Sequence, residues 1–330
     1  MKVLAGDIGG TNTRLAICDV TDGSVKRLAE EIQPSTRFRT FKETVREFIA
    51  HHDADLRAAC FGLPGPVRGR RASLTNLPWA VDADELERDL GLPCVRLIND
   101  LVANAYGLET LDAEDVWVLR AGVPDPHGNA ALISAGTGLG EAGLHRVDGQ
   151  LVPFATEGGH TDFGPSNTLE CDLLAFLQRR HGGHISWERV LSGPGLHAIY
   201  DFLRERTPSA EPAWLRDELT EASDPSAVVG RCAVQEKSEL AAEAVNLFLA
   251  LYGAEASNLA LKTLATSGVY VGGGIAPKLR SLFELSPFLT RFDAKGRMRA
   301  VVEQIPVRVV LDDKAALQGA ALYAARAGAC

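Results

Sequence analysis

GDIGGTN, residues 6–12, follows the short apolar run Val3–Gly6 and precedes a second apolar run, Thr13–Asp19. Two adjacent glycines after a strand let backbone N–H groups approach phosphate oxygens, and the Asp7 carboxylate can hold Mg²⁺ through water. The stretch predicts a β-hairpin whose turn binds phosphate. A tight structural turn with a capping aspartate is the simpler alternative.

The same pattern occurs again in SAGTGLG, residues 134–140. Ala130–Ala135 and Leu139–Val147 are predicted strands joined by the turn Gly136-Thr137-Gly138, so the two hairpins indicate an internal duplication. Gly138, Gly140 and Gly143 also match G-x-G-x-x-G, a motif that binds dinucleotides when it opens a helix after a strand. The residues that follow, 144–149, have the pattern of a strand and turn, so we reject a dinucleotide-binding fold.

Two further strand ends carry candidate binding residues. VGGGIAP, residues 271–277, follows the predicted strand Val269–Val271 and can pack flat against a base or ribose, or simply form a tight turn. The predicted strand Cys94–Ile98 ends at Asn99 and Asp100, where a helix begins. Asp100 is either a helix N-cap or a general base that accepts a proton from a hydroxyl nucleophile.

A polar loop, ATEGGHTDFGP at residues 155–165, places Glu157 and His160 on either side of two glycines. A curled loop can direct both side chains at one polyhydroxylated ligand, whose buried hydroxyls each need a partner. A metal site at His160 with Glu157 or Asp162 is the alternative, although no thiolate or second nearby histidine supports it. Glu188 is one more candidate carboxylate, and it precedes another glycine turn. The alternative is that Glu188 is an ordinary exposed carboxylate on the surface of a helix.

Composition excludes several classes of protein. The chain has 330 residues and a formal charge of −9, which disfavours binding to nucleic acid or to an anionic membrane. The longest apolar stretch, Leu240–Leu264, contains charged and amide side chains and is predicted to be a buried helix. The six cysteines show no C-x-x-C spacing, and no signal-like run precedes Asp7, so we expect free thiols and a cytoplasmic location.

The remaining periodicity predicts strands that alternate with helices, as in an α/β fold with partly parallel sheets and a ligand cleft between two halves. Further predicted strands are Ser24–Gln33, Leu56–Leu63 and Val307–Leu311. Predicted helices are Thr40–His52, one opening at Asp82, Ser166–His181, Ser186–Leu191, Pro194–Arg206, Ala227–Leu264 (one helix or a pair) and Lys314–Ala327 capped by Asp312-Asp313. Thr207–Pro225 is predicted to be a surface excursion.

Taken in order, these motifs resemble the bacterial glucokinase family of the hexokinase–actin–Hsp70 ATPase superfamily, from Gly6 to Leu322. Besides the stretches already quoted, the matching segments are LTNLPW at 74–79, INDLVANAYGL at 98–108, ERVLSGPGL at 188–196, KGRM at 295–298 and DDKAALQGAAL at 312–322.

The resemblance implies a two-domain actin-like ATPase (ribonuclease H-like) fold with mixed sheets flanked by helices. The small domain would comprise residues 1–110 plus 312–330, and the large domain residues 111–311. It implies a homodimer that phosphorylates glucose at the 6-hydroxyl with ATP and Mg²⁺. It assigns Asp100 as the base, Asp7 as the Mg²⁺ residue and the following sugar-binding residues: Asn99, Asp100, Glu157, His160 and Glu188. The implied ATP-binding residues are Gly6, Asp7, Ile8, Gly9, Gly10, Thr11, Asn12, Gly136, Thr137, Gly138, Gly273 and Gly274.

Two alternatives stay open at this point. In the first, the substrate is another hexose such as mannose, fructose or an N-acetylhexosamine. In the second, the chain binds sugar as a regulator without turnover. The related repressor/open-reading-frame/kinase family carries a cysteine-rich zinc motif after its E-x-G-H loop, whereas Cys171 stands alone here, so no structural zinc is expected. No DNA-binding extension is expected either, because the first predicted strand begins at residue 3.

Overall fold

The structure is a computed structural model that describes residues 1–52, 54–74, 77–207, 211–312 and 314–328. Parts of three predictions lie outside those residues: Thr75–Asn76 in LTNLPW, Pro208–Ala210 in the surface excursion, and Asp313 in the last helix cap.

The chain divides into two compact units. Unit 1 comprises Met1–Asp115, Pro153–Ala155 and Asp312–Cys330, and unit 2 comprises Val116–Val152 and Thr156–Leu311. The domain boundaries at residues 110/111 and 311/312 stay a prediction.

Strands and helices alternate along the described chain. The strands are β1 Lys2–Ile8, β2 Asn12–Thr21, β3 Ser24–Pro34, β4 Ala58–Leu63, β5 Val67–Arg68, β6 Arg71–Ser73, β7 Ala80–Asp82, β8 Val95–Asn99, β9 Val116–Arg120, β10 Ala130–Ala135, β11 Leu139–Val147, β12 Gln150–Ala155, β13 Gly268–Gly272 and β14 Val307–Val310. The helices are α1 Phe41–His51, α2 Ala83–Leu90, α3 Asp100–Gly107, α4 Thr168–His181, α5 Gly193–Arg206, α6 Ala213–Glu221, α7 Pro225–Val234, α8 Glu239–Thr263, α9 Arg280–Phe283, α10 Phe288–Asp293, α11 Arg299–Val302 and α12 Ala315–Gly328.

The main sheet of unit 1 has the strand order β3-β2-β1-β4-β8. β1 is antiparallel to β2, whereas β1, β4 and β8 run parallel to one another. The carboxyl ends of these three parallel strands therefore meet at one edge, which is where ligands bind in open α/β sheets. This edge carries Asp7, Asn99 and Asp100.

The sheet of unit 2 repeats that arrangement in the order β12-β11-β10-β13-β14, with β9 added at the far edge. β10 is antiparallel to β11 and parallel to β13, and β13 is parallel to β14. In both units an antiparallel hairpin thus leads into parallel strands in the same order. This repeated topology supports the predicted internal duplication.

The sheet of unit 1 buries apolar side chains on both faces, as the two-residue period of a strand requires. Leu4 and Ile8 belong to one apolar cluster, and Val3 and Ala5 belong to another on the opposite face, under α3 and α12. These helices can cross at close range because Gly319 has no side chain. An added Cβ there would lie only 1.8 Å from the Ala103 carbonyl oxygen.

Unit 2 is built around α8, whose 25 residues include the buried side chains Phe248 and Tyr252. By length and composition α8 could cross a membrane, but 78% of its most apolar 18-residue segment is buried inside the protein. It fits the prediction of a buried helix over Leu240–Leu264. The predicted helical region Ala227–Leu264 is a pair, α7 and α8.

Two secondary-structure predictions are wrong. The predicted surface excursion Thr207–Pro225 contains α6, in which Leu215 and Leu219 are buried one helical turn apart. The predicted helix Ser186–Leu191 is only a single 3₁₀ turn, Trp187–Arg189, because Ser192 caps a new helix, α5, directly after it.

Candidate functional site

The first glycine turn joins β1 to β2 and is held by a serine from outside the motif. The Gly9 N–H donates to the Asn12 carbonyl at 2.8 Å and closes the turn. The Ser35 hydroxyl donates to the Gly9 carbonyl at 2.8 Å, and the Ser35 N–H donates to the Thr11 carbonyl at 2.9 Å. Ser35 is buried and lies within 2.9 Å of the Thr13 hydroxyl, so it fixes the turn from beneath.

The residues of this motif differ in exposure. Gly10, Thr11 and Asn12 are exposed at the turn, whereas Gly6 and Ile8 are buried within β1. An added Cβ on Gly6 would lie 2.6 Å from Phe61 Cδ1, so packing against the core is one physical reason for a glycine there. A contact of Gly6 or Ile8 with phosphate stays a prediction.

Asn99, and not Asp100, caps helix α3. The Asn99 Oδ1 accepts from the N–H groups of Leu101 at 2.9 Å and Val102 at 3.3 Å, while its Nδ2 donates to the Gly65 carbonyl at 3.3 Å. Asp100 is the first helical residue, and its Oδ1 also accepts from the Leu101 N–H at 2.8 Å. The alternative that Asp100 is the N-cap is therefore wrong.

Asp7 and Asp100 approach the same small residue at the carboxyl edge of this sheet. Asp7 pairs with Gly62 of β4, and an added Cβ on Gly62 would lie 3.5 Å from Asp100 Cα and 3.0 Å from Ala103 Cβ. Because Gly62 has no side chain, α3 can begin close to the strand ends.

The second glycine turn, between β10 and β11, is held by different groups. The Gly136 N–H donates to the Gly138 carbonyl at 2.8 Å, and the Gly193 N–H donates to the Gly136 carbonyl at 2.8 Å. The Leu139 N–H donates to Glu188 Oε2 at 3.0 Å. An added Cβ on Gly138 would lie 2.5 Å from that oxygen, so the glycine makes room for the carboxylate.

The third glycine motif packs directly on the second. Gly273 has a φ of 85°, and an added Cβ there would lie 2.2 Å from the Ala135 carbonyl oxygen. Tyr252 of α8 joins the two strand ends from below, since its hydroxyl oxygen lies 3.1 Å from the Ala135 N–H and 3.3 Å from the Gly272 carbonyl. Tyr252 and the close packing at Gly273 therefore hold the second and third glycine motifs together as one continuous surface.

A cavity of about 940 Å³ opens beside that surface, entirely within unit 2. Its volume lies in the range of small-molecule and cofactor sites. The glycine motifs contribute Gly136, Thr137, Gly274 and Ile275 to its lining, and the first turns of α5 and α7 contribute Gly193, Pro194, Pro225, Ser226 and Ala227.

The cavity combines apolar walls with a few charged side chains. Leu196, Val234 and Leu279 supply apolar surface, and Arg231 and Lys278 supply positive charge. Asp224, also in the lining, caps α7; hydrogen bonds from the Ser226 hydroxyl and the Ala227 N–H, together with Lys278, hold the pKa of its carboxyl below the usual range. A planar base with an anionic tail matches this combination of surfaces.

The loop that carries Glu157 and His160 is a braced 3₁₀ turn, and both side chains are exposed. The Thr161 hydroxyl donates to the Gly158 carbonyl at 2.7 Å, and the His160 N–H donates to the Glu157 carbonyl at 3.0 Å. The Trp187 N–H donates to the Thr161 carbonyl at 3.0 Å, which brings Glu188 beside the loop. Three of the predicted sugar-binding residues thus share one region of unit 2.

A metal centre at this loop finds no support among the described residues, where no group of three or more histidine, cysteine or acidic side chains could hold an ion. Asp162 instead lies 3.0 Å from Nε2 of His184.

Several residues around these motifs were not singled out from the sequence. Ser35, Tyr252, Asp224 and Lys278 hold or line the site, yet none belongs to a glycine motif. Asp224 alone had a local signal, because it precedes Pro225 as an N-cap precedes a proline at the first helical position. The others act across the fold, where only the structure reveals them.

The duplicated sheets, the paired glycine motifs and the cavity define an actin-like sugar kinase. The fold is similar to the crystal structure of a glucokinase from an Antarctic psychrotroph, with a TM-score of 0.85 and 30% identity over 98% of this chain and 99% of that one. It is also similar to a ROK family glucokinase from Streptomyces griseus, solved with glucose and AMPPNP, with a TM-score of 0.66 and 24% identity over 99% and 100% of the two chains. The second similarity concerns the fold alone.

The chain belongs to the glucokinase family, whose model matches residues 4–327. It is 43% identical to a glucokinase from Nostoc sp., over 98% of this chain and 99% of that protein. It is 41% identical to a glucokinase from Synechocystis sp., over 99% and 98%. The resemblance inferred from the motifs is confirmed, and membership makes the chain a kinase that uses ATP.

Proposed function

We propose that this chain transfers the terminal phosphoryl group of ATP to the 6-hydroxyl of glucose, giving glucose 6-phosphate and ADP. The observation that carries the proposal is the cavity of about 940 Å³ against the second and third glycine motifs. Family membership, with relatives named glucokinase at 41% and 43% identity, supports glucose as the hexose.

The nucleotide occupies this cavity, with its base against the apolar side chains Ile275 and Leu279 and its phosphates toward the glycine turns. Backbone N–H groups of a turn stabilise anionic oxygens, and the first turns of α5 and α7 add the positive end of two helix dipoles. Lys278 and Arg231 add positive charge. The phosphate-binding residues are those predicted from the three glycine motifs: Gly6, Asp7, Ile8, Gly9, Gly10, Thr11, Asn12, Gly136, Thr137, Gly138, Gly273 and Gly274.

The hexose is bound by Asn99, Glu157, His160 and Glu188 through its hydroxyl groups. The exposed side chains of Glu157 and His160 are available to a ligand, and the braced loop holds them in place at little entropic cost. Glu188 is anchored by the Leu139 N–H at one carboxylate oxygen. The Asn99 side chain is oriented by its cap and by Gly65.

Asp100 acts as the general base. As the bond between the sugar O6 and the terminal phosphorus forms, the bond from that phosphorus to the bridging oxygen breaks and ADP leaves. Asp100 accepts the proton of the 6-hydroxyl, a step that typically contributes about 10²–10⁴ in rate. Positioning and electrostatic stabilisation by the turn N–H groups supply the rest of the catalysis.

Mg²⁺ fits the donor set of the first turn. The half-buried Asp7 presents oxygen, the ligand type that Mg²⁺ prefers, and a single carboxylate suffices when water and substrate phosphates complete the octahedron. Asp7 would hold the ion through water, and the ion would neutralise charge on the phosphates.

We further propose that the chain works as a homodimer in the cytoplasm. The resemblance to bacterial glucokinases supports both statements, and the formal charge of −9 disfavours an anionic membrane surface. Light scattering on the purified protein checks the dimer, because a mass of one chain would contradict it.

A coupled assay of ADP release tests the function, with glucose, mannose, fructose and N-acetylglucosamine at matched concentrations. Turnover on glucose far above the others is expected. Turnover mainly on another hexose would keep the mechanism and overturn glucose as the substrate. Sugar binding without ADP release on any of the four would identify a non-catalytic sugar-binding protein.

A further inference from the structure

Two buried carboxyl groups lie side by side in unit 2, and one of them contacts the loop that carries Glu157 and His160. Glu141 of β11 is 1% exposed and Glu255 of α8 is fully buried. The two side chains lie within hydrogen-bonding reach of each other. Two contacting carboxylates cannot both stay ionised in a dry environment, so such a pair retains a proton. Neither residue belongs to the glycine motifs or to the mechanism above.

Glu141 is in direct contact with the loop. An added Cβ on Gly158 would lie only 1.9 Å from Glu141 Oε2, so the carboxyl group occupies the space under that glycine. The Glu141 carbonyl accepts from the Thr156 hydroxyl at 2.8 Å, and that hydroxyl oxygen accepts from the Gly158 N–H at 3.2 Å. Both the backbone and the side chain of Glu141 thus support the turn between Glu157 and His160.

The surroundings of the pair indicate which carboxyl holds the proton. Glu255 lies 3.3 Å from the Lys262 ammonium and accepts from Asn258 Nδ2 at 2.7 Å, so its charge is offset. Glu141 Oε1 has no hydrogen-bond partner among the described residues, which is costly for an ionised carboxylate. Burial first, and the neighbouring Glu255 next, raise the pKa of Glu141 to about 8.

We propose that Glu141 is a positioning residue for the sugar-binding loop: its protonated carboxyl donates to Glu255 and supports Gly158, so that loss of this proton loosens the hold on the hexose. The proposal rests on the proposed function, because it assigns a role beneath the sugar-binding side chains. It makes glucose affinity depend on pH through a group that the hexose does not touch.

Other ionisable groups face the pair and need a control. From α8 these are Lys262 and Tyr252, and Lys295 reaches the same helix by donating to the Ala254 carbonyl at 3.0 Å. The loop itself carries Glu157 and His160, whereas β10 and β12 carry no ionisable side chain. All of these groups are unchanged in a Glu141 variant, so the difference between variant and wild type isolates Glu141.

The test compares wild type with Glu141→Gln, which keeps the shape and a donor but cannot ionise. The KM for glucose of the wild type is expected to rise as pH passes through about 8 and beyond, toward tenfold, because a loosened loop misplaces its ligands. Glu141→Gln is expected to show no such rise. Glu141→Ala, which removes the support under Gly158, is expected to raise the KM about tenfold at pH 7 with little change in kcat. Glu243→Gln, an exposed neutralisation on α8, should follow the wild type.

Denaturant unfolding provides a readout that does not depend on catalysis. A glutamate with a raised pKa in the folded state is still protonated after the unfolded chain has ionised. Relative to Glu141→Gln, wild-type stability should therefore fall as pH rises from about 4.3, the value for an exposed glutamate, to about 8, and stay level above that.

The positioning role, the assignment of the proton and the proposed function would each be contradicted by a different result. Identical pH profiles for KM in an active wild type and an active Glu141→Gln would overturn the positioning role. A parallel pH dependence of stability in the two proteins would overturn the assignment of the proton. Absence of turnover on every hexose would overturn the proposed function, and this inference with it.

Discussion

The two glycine turns of this chain have the same place in the same sheet topology, but they are held by different side chains. In unit 1 the Ser35 hydroxyl supports the Gly9 carbonyl from beneath. In unit 2 the Glu188 carboxylate holds the Leu139 N–H, and the third glycine motif packs on Ala135. The duplicated backbone therefore does not require duplicated side chains, because a neutral hydroxyl and a carboxylate can each fix a turn.

The surroundings of the two turns differ more than the turns themselves. Asp7, Asn99 and Asp100 share the carboxyl edge of the sheet in unit 1, whereas the turn in unit 2 borders the cavity. Under the proposed function, unit 1 carries the base and the Mg²⁺ residue, whereas unit 2 carries the nucleotide cavity and the sugar-binding residues Glu157, His160 and Glu188. Substitutions in unit 1 should then lower kcat, and those in unit 2 should raise KM.

The largest expected effect is that of Asp100→Asn in unit 1. The amide keeps the shape of the side chain but cannot accept the hydroxyl proton, so kcat should fall about 10²–10⁴-fold with little change in the glucose KM. Steady-state kinetics of ADP release provide the measurement. Asp22→Asn, in the exposed turn between β2 and β3, is the matched control and should behave as wild type. A wild-type kcat for Asp100→Asn would refute the assignment of the base.

A smaller effect is expected from Gly230→Leu in unit 2. Gly230 lines the cavity from α7, and an added Cβ would lie 3.5 Å from Leu279 Cδ2, which is ordinary contact. Gly230→Ala should therefore be tolerated, while the larger leucine fills the nucleotide site. The KM for ATP should rise about tenfold to a hundredfold, equivalent to about 1.4–2.8 kcal/mol, with the glucose KM unchanged. A wild-type KM for ATP in Gly230→Leu would place the nucleotide elsewhere.

Much of the fold could be predicted from the sequence because many of its strands are short apolar runs bounded by glycine, proline or polar residues. The strands β10 and β11 have the predicted bounds, and β1, β2, β3, β4 and β8 lie within a few residues of theirs. Helix α6 was missed because its polar surface and flanking prolines resemble a loop, and only Leu215 and Leu219 face the core. The small strands β5, β6 and β7 are too short to show a period.

The site could be predicted from the sequence only where its residues form a local motif. Adjacent glycines, or a carboxylate at the end of a strand, indicate a binding site from a single short stretch of sequence. Ser35, Tyr252 and Glu141 act on turns that are distant in sequence, so nothing beside them indicates their partners. Asp100 shows the converse limit, because only the structure reveals that Asn99 and not Asp100 is the cap, and the role of Asp100 as the base stays a prediction.

The smallest expected effect, from Ser35→Ala, tests how the first turn is held. The substitution removes two hydrogen bonds of the Ser35 hydroxyl, to the Gly9 carbonyl and to the Thr13 hydroxyl, at a cost of about 0.5–1.5 kcal/mol each. If the turn must keep its shape in the transition state, kcat should fall about twofold to tenfold while the KM for glucose stays constant. Ser192→Ala is the counterpart in unit 2, where the hydroxyl donates to the Glu188 carbonyl at 2.7 Å and also caps α5 through the Gly195 N–H, and it should act mainly on the KM for glucose. Equal effects of both variants on kcat and KM would mean that the two turns are not specialised, and the proposed division between the units would then fail.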